Sequence, residues 1–381
     1  NAHVLIIDDD KNNFDILAAL LRKAHIENTT YASDIEQAFK IIENSRPHII
    51  LLDIMMPGVS GFEFCTKLKK IPAYAQIPVI FVSALRGTNI RTKAFNLGGV
   101  DYLEKPYNLN ETIARIRVHL QNALLLDTQQ KLANSLKEEL DLGAKVQQSL
   151  LPNAHFVAEL SQKHNCQIKS VFIPSGALAG DFWQLLPIDS NQFAIAVCDF
   201  SGHGVASALQ TARFHSLLYE LSSSWPSPET LLKKLNQRLY KMLPPETFAT
   251  FQYALINSQE KTALVINAGS PAFLYIQAGA KVNIHPQPSL PLGVTSTWQA
   301  ANKPLKLNLT KDDALVFYSD ALSDISLKDK KNDPFSQKSL HQLKNRHFDA
   351  QDICDYFLHY HTCADPEACQ DDLTIVSCKF F

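Results

Sequence analysis

Between Leu109 and Leu150 the chain has no proline and a single glycine, Gly143. So long a stretch without helix breakers predicts a long helix or a helix pair, closed by Pro152. Its apolar residues repeat only in part. Val118, Leu125, Leu132 and Val146 recur at seven-residue spacing with Glu139 interrupting, while four residues further on only Leu136 and Leu150 are apolar, against Asn122, Gln129 and Gly143. The pattern fits a dimerising coiled coil and equally a monomeric amphipathic helix packed on its own domain. Either way it separates two segments with different patterns, in a chain of 381 residues that has room for two or three domains.

The first segment alternates short apolar runs, Val4–Ile7, His48–Leu52, Val79–Val82 and Tyr102-Leu103, with amphipathic stretches such as Phe14–Lys23. That alternation predicts βαβ units around a parallel sheet, whose ligand site lies at the C-terminal ends of the strands. Asp8 and Asp9 end one run, Asp53 the next, Ser83 the third, and Lys105 follows the fourth. If the first two strands are neighbours, three carboxylates converge, and only a hard cation such as Mg²⁺ makes that affordable. Ser83 and Lys105 beside such a site could hold a phosphoryl group, with Asp53 as the accepting nucleophile. Taken singly, each Asp is a turn or cap residue; the constellation is what carries information.

The motifs Ile6-Ile7-Asp8-Asp9-Asp10, Leu51-Leu52-Asp53-Ile54-Met55-Met56-Pro57-Gly58, Val82-Ser83-Ala84 and Tyr102-Leu103-Glu104-Lys105-Pro106 resemble the response regulator receiver domain over about 120 residues. The resemblance implies a doubly wound, five-stranded parallel α/β sheet and phosphorylation of Asp53 by a sensor histidine kinase. It also implies Mg²⁺ held by Asp8, Asp9, Asp53 and the Met55 carbonyl, switch positions at Ser83 and Tyr102, and a phosphate-contacting Lys105.

From about Cys166 the pattern changes. Runs at Phe193–Val197, Phe251–Ile256, Ala263–Ile266, Leu315–Tyr318 and Leu373–Cys378 read as strands, and Ala206–Leu221, Pro228–Met242 and Ala350–His361 as helices. Grouped strands with grouped helices predict an α+β unit of stacked sheets flanked by helices. Four aspartates, Asp181, Asp199, Asp320 and Asp371, each sit beside an apolar run, and oxygen donors of this kind suit Mg²⁺ or Mn²⁺. Two such ions could bridge a water and aim it at phosphorus.

The motifs Ala179-Gly180-Asp181-Phe182, Val197-Cys198-Asp199-Phe200-Ser201-Gly202-His203-Gly204, Tyr318-Ser319-Asp320-Ala321 and Gln370-Asp371-Asp372-Leu373-Thr374 occur in this order. With Val146-Gln147-Gln148-Ser149-Leu150-Leu151-Pro152, Asn267-Ala268-Gly269 and Leu290-Pro291-Leu292-Gly293, they resemble the SpoIIE-like branch of the PPM metal-dependent protein phosphatases, from about Leu140 to Phe381. The resemblance implies two Mn²⁺ or Mg²⁺ ions held by Asp181, Asp199, Asp320, Asp371 and the Phe200 carbonyl, with Asp199 bridging. It implies a phosphorylated STAS anti-anti-sigma protein as substrate. Gln184, Ser270 and Ala321 depart from the family pattern, Asp372 stands where relatives carry Asp or Asn, and His203 is either a general acid or the residue that orients the glycine-rich turn. His215 is expected to be an ordinary, partly buried side chain.

The domains expected are a receiver at 1–120, a helical linker at 121–152 that could pair two copies, and a phosphatase domain at 153–381. A formal charge of −2 and no basic helix-turn-helix pattern argue against a nucleic-acid partner. No apolar run is long enough to span a bilayer and the N-terminal residues carry no signal-peptide pattern, so a cytoplasmic, membrane-free protein is expected. The seven cysteines include no CxxC pair, and His359, His361, Cys363 and Cys369 match no standard zinc spacing. The competing reading is an adaptor that keeps the phosphatase fold without its chemistry and binds a sigma-factor regulator.

Overall fold

The structure is a computed structural model that describes residues 2–84, 87–202, 204–222, 227–277, 281–286, 289–300, 303–329, 333–336, 339–340, 343, 348–364 and 369–381. The chain divides into two compact units, residues 1–137 and 138–381.

In the first unit, β1 (Val4–Ile7), β2 (Thr29–Ala32), β3 (Ile49–Asp53), β4 (Val79–Ser83) and β5 (Asp101–Glu104) form a parallel sheet in the order β2-β1-β3-β4-β5. The alternation of strand side chains assigns the two faces. Leu5 and Ile7 meet α2 (Ile35–Asn44) and α3 (Gly61–Lys70) through Ile42, Phe64 and Leu68. Val4 and Ile6 meet α1 (Lys11–Lys23) and the first turns of α5 (Leu109–Leu150) through Leu17, Leu21, Ile116 and Leu120. Asp10, Asp34 and Ser60 cap α1, α2 and α3 by accepting from backbone N–H groups, which fixes where each helix starts. The short α4 (Thr88–Asn96) precedes β5. β2 has no apolar run; it is an edge strand, and only Ala32 is buried.

The stretch from Leu109 to Leu150 is one continuous helix, not a pair. Val118, Leu125, Leu132 and Val146 are all exposed along it, as are Leu126, Leu136 and Leu142.

The second unit is four-layered. After α6 (Ala154–Lys163), the strands β6 (Cys166–Ile173), β7 (Asp181–Pro187), β8 (Gln192–Phe200), β9 (Ala249–Asn257), β10 (Thr262–Ala268), β11 (Phe273–Gln277), β12 (Lys281–His285), β13 (Leu305–Asn308), β14 (Ala314–Tyr318) and β15 (Leu373–Phe380) form two antiparallel sheets, β13-β10-β9-β8-β7 and β12-β11-β14-β15-β6. Trp183, Leu185, Ile195, Val197 and Val265 of one sheet face Phe273, Leu315, Phe317 and Val376 of the other. The outer face of the first sheet packs on α7 (Val205–Ser222) and α8 (Pro228–Met242) through Phe214, Leu218, Leu232 and Leu235. That of the second packs on α9 (Asp320–Lys328) and α10 (Ala350–Cys363) through Leu322, Ile325, Ile353 and Phe357. Among the described residues no helix is long and apolar enough to cross a membrane.

Gly61, the first residue of α3, lies against the strand that carries Asp53. A Cβ added there would stand 2.1 Å from the Asp53 carbonyl oxygen, so the backbone itself would have to move. Gly61→Ala is therefore expected to destabilise the receiver unit by about 3 kcal/mol, at the upper end of overpacking costs, read as a lowered urea midpoint of that unit's transition.

Candidate phosphoacceptor and metal sites

β1 and β3 are neighbours in register, Ile7 opposite Leu52, so Asp8 and Asp53 leave adjacent strands at the same edge. Asp8, Asp9 and Asp53 each offer a carboxylate oxygen within 4.8 Å of the others, the only such set of three acidic, histidine or cysteine ligands among the described residues. Asp8 is buried and its oxygens are directed. Oδ1 accepts from the Asp10 N–H at 3.0 Å and the Asn13 amide at 2.9 Å, and Oδ2 from Lys105 at 2.9 Å. The same Lys105 Nζ lies 3.5 Å from Asp53. Burial pushes the Asp53 carboxyl up to about 6 against the pull of Lys105, with Asp8 adding to the rise. One lysine for three carboxylates leaves negative charge over, and an all-oxygen set this tight fits Mg²⁺. Ser83, the last residue of β4, and Tyr102, the second residue of β5, are both buried, and the Arg91 guanidinium stands 5.7 Å over the Tyr102 ring. The Met55 side chain is exposed.

In the second unit the register of β7 and β8 places Asp181 directly opposite Asp199. Asp320 opens α9 just after β14, and Asp371 stands two residues before β15, the strand that pairs with β14. Both pairs lie at one end of the sandwich, because the Thr374 hydroxyl of β15 donates to Asp181 Oδ2 of β7 at 2.5 Å and so joins the sheets there. The Asp199 carboxyl is pushed up to about 8, first by burial and then by the charges of Asp320, Asp371 and Asp372. That of Asp320 is pushed up to about 6 by burial and by Asp371. Burial and the Asp199 charge raise Asp181 as well. No lysine or arginine among the described residues forms an ion pair with any of the four. Asp181 is buried, Asp199 and Asp320 are partly buried and Asp371 is exposed, and carboxylates crowded in this way without a cationic partner suit divalent ions. The set is more open than the one in the first unit, since no three of its ligand atoms close to within 4.8 Å. Residues that divide between two ions have no need to.

Several residues that hold this edge in place stand inside the sequence motifs, and the structure shows what each of them holds. Asp372, whose role the motif alone leaves open, is buried and fully engaged. Its Oδ1 accepts from the Ser175 N–H at 2.6 Å and hydroxyl at 2.8 Å, and its Oδ2 from the Gly180 N–H at 2.5 Å. Ser319 accepts from the Thr374 N–H and donates to the Asp372 carbonyl, which fixes the chain before Asp320. A Cβ on Gly180 would come 2.9 Å from the carbonyl oxygens of Phe200 and Gly202, so only glycine lets those carbonyls approach. Gln147, in the last turns of α5, grips both backbone groups of Ala179, two residues before Asp181, and donates to Thr211.

The departures also find places. Gln184 is buried and donates to the Leu150 carbonyl, capping the end of α5. Ala321 fits the packed layer under α9. The Ser270 N–H donates to Asn267 at the turn where Gly269, at φ 75°, meets Pro291, so two of the sequence motifs abut. His215 is half-buried with its ring edge-on to Phe182. His203 lies outside the described residues. His359 and Cys363 sit near each other, but they join no three-ligand set among the described residues.

The model of the family described as Stage II sporulation protein E (SpoIIE) matches residues 189–381, just over half the chain. The chain belongs to the SpoIIE family. The model of the response regulator receiver domain matches residues 4–117, so this SpoIIE-family phosphatase domain follows a receiver. Among curated proteins, the chain is similar to the transcriptional regulatory protein YvrH of Bacillus subtilis, 36% identical over 121 residues, 32% of this chain and 50% of YvrH. It is also similar to the heme response regulator HssR of Staphylococcus aureus, 33% identical over 155 residues, 40% of this chain and 67% of HssR. The chain thus spans about half the length of YvrH. Among solved structures, the SiaA-PP2C domain of Pseudomonas aeruginosa shares the fold at 17% identity and a TM-score of 0.52, covering 66% of this chain and 99% of that one.

Replacing Asp372 by alanine would leave the buried Gly180 N–H without its acceptor and would remove both bonds from the exposed Ser175. The expected loss is about 2 kcal/mol, from the charged hydrogen bonds and the one stranded donor together, measured by urea unfolding of the second unit's transition.

Proposed function

We propose that the chain is a two-component response regulator whose receiver, phosphorylated on Asp53 by a sensor histidine kinase, controls a metal-dependent phosphoserine/phosphothreonine phosphatase. Its substrate class in this reading is a phosphorylated STAS anti-anti-sigma protein. The observation that carries the reading is the pair of acidic strand edges: a tight set closed by Lys105 in the first unit, and an unpaired set around Asp199 in the second.

In the receiver, Asp8, Asp9, Asp53 and the Met55 carbonyl would hold Mg²⁺. Lys105, already within reach of Asp8 and Asp53, would follow the charge when Asp53 takes a phosphoryl group. Ser83 and Tyr102 are the residues that would respond. In the second unit, Asp181, Asp199, Asp320, Asp371 and the Phe200 carbonyl would hold two Mn²⁺ or Mg²⁺ ions, with Asp199 between them. When bound, the ions supply a water of lowered pKa for attack on phosphorus. The chain's own part is positional: Thr374 orients Asp181, Gly180 admits the Phe200 carbonyl, and Asp372 and Ser319 fix the segments that carry Asp371 and Asp320.

The control element in this reading is α5. Gln147 near its end holds Ala179, so a rotation or slide of that end would drag the segment that leads into Asp181. The exposed stripe Val118, Leu125, Leu132 and Val146 supports pairing of two such helices in a homodimer. A second reading, an adaptor without hydrolysis, draws on the openness of the four-aspartate set.

An assay of Mn²⁺-dependent phosphate release from a phosphorylated STAS protein decides between the two. The wild type is expected to turn over. Asp199→Ala should lose more than about 100-fold, beyond the range seen for residues that merely support a metal ligand. Because Asp199 and Asp320 hold protons up to about 8 and about 6, the ions must displace those protons, and Mn²⁺ affinity should rise between those values. A wild type that binds the substrate and releases nothing at any Mn²⁺ concentration would establish the adaptor.

Beryllofluoride, an acyl-phosphate mimic, tests the coupling. The treated protein should dephosphorylate the substrate at a rate at least about fivefold different from the untreated protein, the lower end of ordinary allosteric couplings. Equal rates sink the control role of the receiver.

A further inference from the structure

One polar atom beside the receiver's acidic edge has no partner among the described residues. Tyr107 follows Lys105-Pro106 and precedes α5. Its ring packs on the layer between β1, α1 and α5 with Phe14 and Ile113, while its hydroxyl is shut off from solvent and makes no hydrogen bond among the described residues. The groups around it are better served. Asp8 already accepts from Asp10, Asn13 and Lys105, and Lys105 divides itself between Asp8 and Asp53. Burial first, and then the charges of Asp8 and Asp53, hold the phenol's pKa above its ordinary value. The oxygen therefore keeps its proton, is a donor, and lies within the field of both carboxylates. A buried donor without an acceptor is a standing cost, relieved when an acceptor arrives. Loading the site brings several: a phosphoryl group adds three acceptor oxygens, and a hydrated Mg²⁺ brings bound waters.

We propose that Tyr107 is a positioning residue of the phosphorylation site, its hydroxyl donating to an oxygen that arrives with the phosphoryl–Mg²⁺ group. The bond ties the residue just ahead of α5 to the state of Asp53, through a side chain outside the motifs that mark the site. The proposal rests on Asp53 being the phosphoacceptor.

The test is ¹⁹F NMR of the full chain titrated with beryllofluoride in Mg²⁺, which reads occupancy at Asp53, in the wild type and in Tyr107→Phe. The variant keeps the ring and loses the hydroxyl. Its half-saturating beryllofluoride concentration is expected to rise about tenfold. Its metal-free receiver is expected to melt no lower than the wild type, because the lost atom was bonded to nothing there. At saturating Mg²⁺, a weakening that persists assigns the acceptor to the phosphoryl group, and one that disappears assigns it to a metal-bound water; both support the proposal. Equal beryllofluoride affinities overturn it. So does a lower melting temperature of the metal-free variant, which shows that the hydroxyl already had a partner. A wild type with no bound beryllofluoride signal fails at an earlier point and overturns the assignment of Asp53 as well.

Discussion

The hydrogen bond from Thr374 to Asp181 is the tie on which the arrangement of the second unit depends. It runs between residues far apart in sequence and brings two sheets, each able to satisfy its own backbone, to a common edge. A buried carboxylate has to find donors, and here the donor comes from the facing sheet. Once Asp181 is fixed, antiparallel register places Asp199 across from it, and the β14–β15 pairing carries Asp320 and Asp371 to the same end. Four carboxylates at one edge are then a result of strand pairing rather than of any local motif.

The receiver solves the equivalent problem with less. Its strands are all parallel, so every C-terminal strand end points to the same edge, and three carboxylates close there without help from a second sheet. Lys105 compensates part of that charge, whereas the second unit offers no such cation among its described residues. The contrast is one of charge balance. The first edge carries its own cation, while the second has none among the described residues.

The receiver fold was legible because apolar runs and acidic strand ends coincide in sequence, as at Ile7-Asp8 and Leu52-Asp53. The weak strand β2, Thr-Thr-Tyr-Ala, was not, because an edge position places no demand for an apolar run. In the second unit the motif aspartates could be picked out, but β6, β7 and β11 to β13 could not; Lys169, Gln184, Asn283 and Lys306 interrupt the apolar residues of β6, β7, β12 and β13. Of the residues that frame the edge, Thr374, Ser319 and Gln147 stand inside the sequence motifs and Ser175 outside them, but no motif tells what any of the four holds. They act through partners 32 to 197 positions away, a relation that local pattern does not contain. The long helix was visible from its lack of breakers, whereas its unity was a matter for the structure.

Asp371 and Asp372 are adjacent and chemically identical, yet their neighbours ask opposite things of them. The first is exposed at the acidic edge; the second is sunk into the frame with both oxygens occupied. The two are therefore open to separate selection. Under the proposed function, a relative without catalysis could lose the carboxylate at 371 and keep its architecture, while one that changed 372 would put its fold at risk first. An acid at the second position of the pair is thus a requirement of shape, and under that proposal only the first position serves chemistry.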